Sequence, residues 1–417
     1  MGETQLEAVF RAEWGRLLAL LVAQFRRLDL AEDGLGDAFL AAAASWPDAG
    51  MPRNPAAWLL TAARRKILDR LRGEATAARK EPLLVVDAEL QQRAQRVLAD
   101  VGEGLGDERL RLLFLCAHPA LAPDAAAALT LRLVLGVPTA DIAAVFHTTE
   151  PTMAARLTRA KRVVARSGER FAIPVGADLP PRLDTVCRVV YLAFTSAYAP
   201  ARGAEVTRLE VAAEAIRLGR LLTGLRPEPP EARALLALML LQHSRRDART
   251  DGSGRLVLLP DQDRSRWRAD EITEALALLE PMLAGPGSVP AGEYLLQALI
   301  AAEHAVAVRA EDTRWDRIAG YYAELEALTG SPVVRLNRAV AVAEADGPAA
   351  GLALLEGLDV ALPRNHRLPG ARATLLARLG QHQAARAAYQ EALALCGNDV
   401  EVAHLRGRLA ELDHRRP

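Results

Sequence analysis

Apolar residues recur every three or four positions along most of the chain, which is the spacing of amphipathic helices. Ala, Leu, Arg and Glu are abundant, and aromatic residues make up 4% of the sequence. Straight-chain side chains lose little rotamer freedom in a helix, so this composition favours helix. The one extended segment that we expect is the short apolar run in "GRLVLLPDQDRSRW". The sequence predicts an all-α protein.

Breaks rich in Gly and Pro divide this helical pattern into separate regions. The first helical unit is predicted over 1–73, and a linker with weak periodicity over 74–106. A second helical unit follows over 107–171, up to the break "IPVGADLPPRL", and a larger C-terminal helical region occupies 180–417. Near 371–413, a Leu-Gly turn with Ala, Tyr and Leu at helical spacing predicts a tetratricopeptide-like helix pair.

Charge and cysteine content limit the classes of function. The chain has 52 basic and 52 acidic side chains, so any nucleic-acid site must be a local cluster. Cys116, Cys187 and Cys396 are far apart in sequence, and Cys116 and His118 have no second pair of ligands, so we expect no metal and no cofactor. No signal peptide or membrane span of about 18 apolar residues is evident, which predicts a cytoplasmic protein without a membrane partner.

The segment "TADIAAVFHTTEPTMAARLTRAKRVV" has the pattern of a helix-turn-helix. A short break around Thr148 leads to Glu150 and Pro151, and Pro is tolerated at the start of a helix. Guanidinium groups on one face of the second helix suit phosphates and the guanine edge in the major groove. The alternative, a solvated basic face on an ordinary helix pair, stays open. The predicted outer face holds Thr152, Arg156, Arg159 and Arg162.

A second basic cluster lies in "NPAAWLLTAARRKILDRLRG". Trp58 and Thr61 precede its cations on the same predicted helix. An exposed aromatic ring next to cations binds unstacked bases of single-stranded DNA together with their phosphates. The alternative is that Trp58 belongs to the hydrophobic core. The cations are Arg64, Arg65, Lys66, Arg70 and Arg72.

These two units, in this order and with a linker between them, resemble the bacterial sigma-70 family, in the extracytoplasmic-function group that keeps only the second and fourth conserved regions. The matching segments are "DLAEDGLGDAFLAA", "NPAAWLLTAARRKILDRLR" and "TADIAAVFHTTEPTMAARLTRAKRVV". The segments "LLPDQDRSRW" and "SPVVRLNRAVAVAEADGPAAGLALLE" resemble the C-terminal extension of a subgroup with a tetratricopeptide-like domain. The resemblance implies a sigma factor that binds core RNA polymerase and promoter DNA and catalyses no reaction.

The resemblance also implies three sets of site residues. Core polymerase would contact Asp29, Asp33, Leu35, Asp37 and Phe39. The minus-10 element would contact Asn54, Trp58, Thr61, Arg64 and Arg65. The minus-35 element would contact Glu150, Thr152, Met153, Arg156, Arg159 and Arg162, with Arg156 reading a base and the later cations binding phosphate.

Two features of the polymerase-binding segment leave alternatives open. Gly34 and Gly36 each reduce helix stability by about 0.5–1 kcal/mol relative to Ala, so the integrity of this helix is in question. Leu35 and Phe39 are also placed where they would pack inside a helical bundle, which is the alternative to contact with polymerase.

The C-terminal region admits further alternatives. The chain would act as a one-component regulator if these helices sensed a ligand, or as a tetratricopeptide-like scaffold if its main partners were proteins. The short join at "IPVGADLPPRL" favours docking of the C-terminal region on the DNA-binding units. In "LLPDQDRSRW", Asp261 and Asp263 beside Arg264 and Arg266 predict a salt-bridged loop, which either joins that docking or caps helices within its own domain.

Overall fold

In the computed structural model of the protein, every regular element among the described residues is helical, as the sequence predicts. The predicted linker lies largely outside them, as do residues 254–256 of the segment expected to be extended. The described residues are 3–77, 104–146, 148–168, 171–198, 205–225, 229–251, 257–283, 291–397 and 399–414.

The chain forms two compact units, Met1–Leu225 and Arg226–Pro417. The first unit contains α1 to α9, which include both basic clusters. The bounds of these helices are α1 Glu3–Phe25, α2 Leu28–Ala49, α3 Pro55–Ala77, α4 Gly104–Cys116, α5 Pro123–Leu133, α6 Thr139–Val145, α7 Glu150–Arg166, α8 Leu179–Ser196 and α9 Glu205–Thr223.

Helices α1, α2 and α3 pack against one another at the N-terminus of the first unit. Helix α2 continues through both glycines, so the doubt about its integrity is resolved in favour of a helix. Gly34 faces α3 so closely that a Cβ atom there would lie 2.5 Å from Ile67 Cγ1. The glycine therefore has a packing role, because only a residue without a side chain allows this approach of α2 to α3.

Helices α4 to α7 form the second part of this unit, and α8 and α9 pack against α4 and α5. Arg182 of α8 donates a hydrogen bond to the carbonyl of Phe114 at 2.6 Å, and Arg109 of α4 forms a salt bridge with Glu214 of α9. Burial lowers the pKa of the Arg109 guanidinium to about 10. The first two helices of the predicted C-terminal region thus belong to the same compact unit as the helix-turn-helix.

The second unit is a succession of helices in which each packs mainly on helices one or two places away along the chain. Two short 3₁₀ turns, Leu259–Asp261 and Arg264–Arg266, precede the second of its helices. The bounds are α10 Pro230–His243, α11 Ala269–Leu283, α12 Glu293–Val306, α13 Trp315–Thr329, α14 Pro332–Ala345, α15 Pro348–Leu354, α16 Leu358–Ala361, α17 Arg367–Arg378, α18 His382–Leu395 and α19 Asp399–His414.

The predicted helix pair near 371–413 corresponds to α17, α18 and α19, which share a small core around Tyr389 and Leu405. A second core forms around Leu336 and Leu368, and Leu352 packs against both. The cores therefore follow one another along the chain instead of merging into one.

The loop "LLPDQDRSRW" differs from the predicted salt-bridged loop. Asp263 accepts hydrogen bonds from the backbone N–H and the hydroxyl of Ser265, at 3.0 and 2.6 Å. Arg264 donates to the carbonyl of His304 in the last turn of α12 and to that of Ala307 just after it, the second at 2.9 Å. Its guanidinium also stacks over the Trp267 ring, 4.8 Å from the ring centre. The loop thus caps a helix within its own unit, which favours one of the two alternatives from the sequence.

Among the residues that the structure describes, no helix is both long enough and apolar enough to cross a membrane.

Candidate nucleic-acid and polymerase interface

Helices α6 and α7 form the predicted helix-turn-helix. Thr149 caps α7, because its hydroxyl oxygen accepts a hydrogen bond from the Thr152 backbone N–H at 3.4 Å. One side of α7 is buried, and its residues are Met153, Leu157, Ala160 and Val164. This apolar stripe fixes the rotation of α7, so that the opposite face points outward.

The outer face of α7 presents Thr152, Arg159 and Arg162 as exposed residues, as does Glu150 at the start of the helix. Arg156 is half-buried, and its guanidinium lies 5.8 Å from the centre of the Phe146 ring. Stacking on an aromatic ring restrains a long side chain, so this contact favours one position of the Arg156 guanidinium. The placement of Met153 at the minus-35 element is wrong, because its side chain is completely buried in the core.

The predicted minus-10 residues lie on α3 and immediately before it. Asn54 precedes the helix, and its side-chain oxygen accepts a hydrogen bond from the Ala57 backbone N–H at 3.0 Å. Trp58 is half-buried and meets the buried Trp46 edge to face, with ring centres 5.5 Å apart. Trp58 therefore belongs partly to the core, as one alternative predicted, and part of its ring remains accessible for stacking on a base, as the other predicted. Thr61 is exposed one turn further on.

The two arginines at the centre of α3 differ in environment. Arg64 donates a hydrogen bond to Gln24 Oε1 of α1 at 2.7 Å, and burial lowers the pKa of its guanidinium. Arg65 is exposed. Arg65 is therefore positioned for a phosphate contact, whereas the hydrogen bond of Arg64 links α3 to α1.

A groove of about 550 Å³ lies between α1 and the start of α3. Asn54 lines it together with Arg53, and Glu13 and Arg16 of α1 form the opposite wall. Arg16 and Arg53 are not among the residues predicted from the sequence, although an arginine directly before the Asn-Pro helix start was a usable signal for Arg53. Arg16 is paired with Glu13 on its own wall at 3.0 Å, so Arg53 supplies the cationic group that suits the phosphate of an unstacked base.

The three acids predicted to contact polymerase lie on α2. Asp29 is exposed, and a hydrogen bond from Arg27 holds the pKa of its carboxyl below the ordinary value. Asp33 and Asp37 both accept hydrogen bonds from Arg70 of α3, each at 2.9 Å. The acids thus form an ordered, mostly exposed edge on α2.

The two apolar residues of the same predicted set are core residues. Leu35 is completely buried, and Phe39 is 7% exposed and packs against Phe10 and Trp14. Leu35 and Phe39 therefore pack within the helical bundle and do not lie at a surface that polymerase can contact. This is the alternative that the sequence left open. Leu40, beside them on α2, is 71% exposed and is the apolar side chain available at this edge.

Glu32, a buried acid of α2, is also absent from the predicted set. Its carboxylate accepts a hydrogen bond from Lys161 of α7 at 2.7 Å, and Arg132 of α5 lies 3.5 Å away. Lys161 is 129 residues and Arg132 is 100 residues away from Glu32 in sequence. No local pattern distinguishes Glu32 from its exposed acidic neighbours.

The chain matches three family models in chain order. Residues 9–76 match sigma-70 region 2, residues 111–163 match sigma-70 region 4, and residues 182–283 match a family of unknown function, DUF6596. The region 2 match covers α1 to α3 and the region 4 match covers the helix-turn-helix. No solved structure matches the chain.

One curated relative extends over nearly the whole sequence. An uncharacterized protein of Rhizobium meliloti (strain 1021) is 43% identical over 401 residues, which cover 95% of this chain and 92% of the relative. The alignment therefore extends over nearly the full length of both chains. The protein belongs to the family of this relative, and it carries the region 2 and region 4 domains of a sigma-70 family factor that acts in promoter recognition.

Proposed function

We propose that the protein is a sigma factor of the extracytoplasmic-function type, which acts in the cytoplasm, binds core RNA polymerase and directs it to its promoters. The observation that carries this proposal is the presence of regions 2 and 4 in one chain. A plain operator-binding regulator has no use for region 2. The protein would contribute binding and strand separation and leave catalysis to the polymerase.

Region 4 would bind the minus-35 element through the exposed face of α7. Arg156, held against the Phe146 ring, is suited to a bidentate contact with a guanine, which needs a fixed guanidinium plane. The exposed Arg159 and Arg162 are suited to phosphate contacts, for which position matters less. Glu150 and Thr152 lie at the N-terminus of α7, the end of a recognition helix that approaches base edges.

Region 2 would bind the minus-10 element after the strands part. The groove between α1 and α3 would take an extruded base, with Asn54 on its wall and Arg65 at the adjacent phosphates. The accessible part of the Trp58 ring would stack on a neighbouring base, and Thr61 lies one turn away on the same helix. Arg64 would support this face through its hydrogen bond to Gln24.

Core polymerase would dock on the acidic edge of α2. Asp29, Asp33 and Asp37 supply charge that attracts a basic partner surface, and the exposed Leu40 supplies an apolar contact. This proposal replaces Leu35 and Phe39 by Leu40, because the first two are used by the core.

The C-terminal region would support this activity as a tetratricopeptide-like scaffold docked on the sigma domains. Helices α8 and α9 already pack against region 4. The DUF6596 match runs from these helices through α10 and α11, so one family match crosses the sequence boundary between the two compact units. A chain ending after Leu225 should therefore keep polymerase binding but give less transcript than the full chain in a purified run-off assay.

Co-purification with core polymerase tests the proposal. The full chain should retain the polymerase, and the triple variant Asp29→Asn, Asp33→Asn and Asp37→Asn should weaken binding at least tenfold. Asp69→Asn is the matched control, since this exposed acid pairs with Arg72 on α3. If the full chain binds duplex DNA but not polymerase, it is a one-component regulator and the proposal is wrong.

A further inference from the structure

Three side chains of the types that bind metal ions meet in the C-terminal part of the second unit. They are His366 at the N-terminus of α17, Cys396 at the C-terminus of α18 and Glu401 in the first turn of α19. His366 Nε2, Cys396 Sγ and a carboxylate oxygen of Glu401 all lie within 4.8 Å of one another. The expectation of no metal rested on ligands close together in sequence, whereas the fold brings these three together from separate helices.

The carboxylate of Glu401 lies at the centre of this cluster. Its Oε2 atom is 2.6 Å from His366 Nε2 and 3.9 Å from Cys396 Sγ. His366 Nε2 is buried and has no hydrogen-bond partner among the residues that the structure describes, because the approach of Oε2 does not have hydrogen-bond geometry. A buried polar atom normally has such a partner, so the orientation of this ring nitrogen requires another explanation.

A tetrahedral Zn²⁺ ion fits between these atoms after small side-chain movements. Zn²⁺ binds imidazole nitrogen, thiolate sulfur and carboxylate oxygen at about 2.0–2.3 Å, which separates any two ligand atoms by about 3.4–3.6 Å. The observed separations of 2.6 and 3.9 Å differ from this range by less than about 1 Å. All three residues are half-buried, so rotation of their side chains supplies this change.

The chemistry of the three ligands selects the class of ion. Mg²⁺ and Ca²⁺ prefer oxygen ligands, whereas a thiolate with an imidazole suits Zn²⁺. The Cys396 thiolate and the Glu401 carboxylate balance the two charges of the ion, and the thiol proton passes to solvent when the sulfur–metal bond forms. Arg367 donates a hydrogen bond to the other carboxylate oxygen, Oε1, at 3.3 Å, which orients the carboxylate as outer-sphere partners of metal ligands do.

The cluster also lies at the wall of a groove. Three protein ligands leave one position of a tetrahedral ion open. His366 and Glu401 line a groove of about 1150 Å³ in the second unit, together with Tyr389 and Arg408. The open position would therefore face a space that admits a water molecule or a small ligand.

We propose that His366, Cys396 and Glu401 form a Zn²⁺ site that joins the ends of α17, α18 and α19 and leaves one coordination position open to the groove. Bound Zn²⁺ stabilises these helices, because only their folded arrangement brings the three ligands together. The site lies in the second unit, outside regions 2 and 4. Its affinity for Zn²⁺ therefore does not depend on the assignment as a sigma factor.

Titration of the metal-free full-length chain with Co²⁺ tests the site, because a thiolate bound to Co²⁺ has a charge-transfer absorption that a Zn²⁺ complex lacks. A single equivalent of Co²⁺ should produce this absorption, and Zn²⁺ should remove it by displacing Co²⁺. Cys396→Ser should lose the absorption, since Cys116 and Cys187 are buried in the first unit. His366→Gln and Glu401→Gln should weaken binding by at least about 100-fold, because loss of an outer-sphere partner alone costs about 10- to 100-fold.

Matched controls and a second measurement separate metal binding from general stability. His382→Gln and Glu391→Gln change exposed side chains of α18 and should bind Co²⁺ like the wild type. Zn²⁺ at about 100 times its dissociation constant should slow hydrogen exchange of the α17 to α19 amides by about 100-fold in the wild type, but not in Cys396→Ser. Without Zn²⁺ these two chains should exchange alike, because the substitution removes a ligand and leaves the helix packing.

Three results would overturn the proposal. If the wild-type chain gives no thiolate absorption with Co²⁺, His366 and Glu401 form an ion pair only. If the absorption persists in Cys396→Ser, another cysteine binds the ion. If His382→Gln weakens binding as much as His366→Gln does, the ion binds surface histidines without a defined site.

Discussion

Replacement of either glycine of α2 by Ala should change the stability of the helix, but in opposite directions at Gly34 and Gly36. At Gly34, a Cβ atom would lie 2.5 Å from Ile67 Cγ1 and 3.2 Å from the Ala63 carbonyl oxygen. Overpacking of this kind costs about 1–3 kcal/mol. At Gly36, nothing lies within 4 Å of the added atom, so Gly36→Ala should stabilise the helix by about 0.5–1 kcal/mol.

Hydrogen exchange of the α2 amides measures both effects in the full-length protein, where several units would complicate a global unfolding curve. Gly34→Ala should accelerate exchange by about 5- to 150-fold, which corresponds to its expected cost. Gly36→Ala should slow it by about 2- to 5-fold. Exchange that changes in the same direction in both variants would refute the packing role of Gly34 and leave helix propensity as the explanation.

A second test of Gly34 uses its neighbour. In an Ile67→Ala background the added methyl group has room, so Gly34→Ala should cost clearly less than in the wild type. Residues that share a contact do not have independent effects on stability. If the effects of Gly34→Ala and Ile67→Ala on stability simply add, the cost of Gly34→Ala does not come from contact with Ile67.

Three further predictions concern DNA binding and pH. Arg156→Ala should weaken promoter binding by about 1–3 kcal/mol and relax the base preference at one or two minus-35 positions. Arg162→Ala should weaken binding to all DNA sequences alike and reduce the salt dependence of binding. If both variants behave equally in a salt titration of DNA binding, these roles are wrong. Trp58→Ala should slow strand opening, measured by permanganate footprinting, and leave binding to the duplex minus-35 element unchanged, because stacking on a base is worth about 1–3 kcal/mol. If the variant opens promoters normally but the protein melts at a lower temperature, Trp58 is a core residue only. Burial beside Arg245 and Arg264 lowers the pKa of His304 to about 4. The unfolded chain therefore binds this proton more readily, and stability present above about pH 6.5 is lost as pH falls towards 4, by roughly 3 kcal/mol. His304→Gln should melt with less dependence on pH in that window than the wild type, and the exposed His382→Gln should not; equal dependence in both would contradict the assignment.

The spacing of apolar residues was sufficient to predict the helices and the exposed positions in much of the candidate site. The outer face of α7 follows from the positions of its apolar residues, and the structure exposes Thr152, Arg159 and Arg162 as predicted. Met153 was assigned to the minus-35 element by the family resemblance and not by this rule, and the structure places it at the start of the buried stripe.

Tertiary contacts account for what the sequence did not reveal. Gly34 weakens the helix by its local propensity, but the close approach of α3 outweighs that cost. Glu32 has the same local surroundings as Asp33, yet one is buried against region 4 and the other is exposed. Such differences depend on partners more than 90 residues away, which no window of sequence contains.

The most direct measurement is genome-wide run-off transcription with purified core polymerase, with and without the full-length protein. The protein should cause transcripts to start at a discrete set of sites that share two elements at a fixed spacing. The variant with Arg156→Ala, Arg159→Ala and Arg162→Ala should lose these starts while it still binds polymerase. If no start depends on the protein, although the polymerase is active with another sigma factor, the assignment as a sigma factor is wrong.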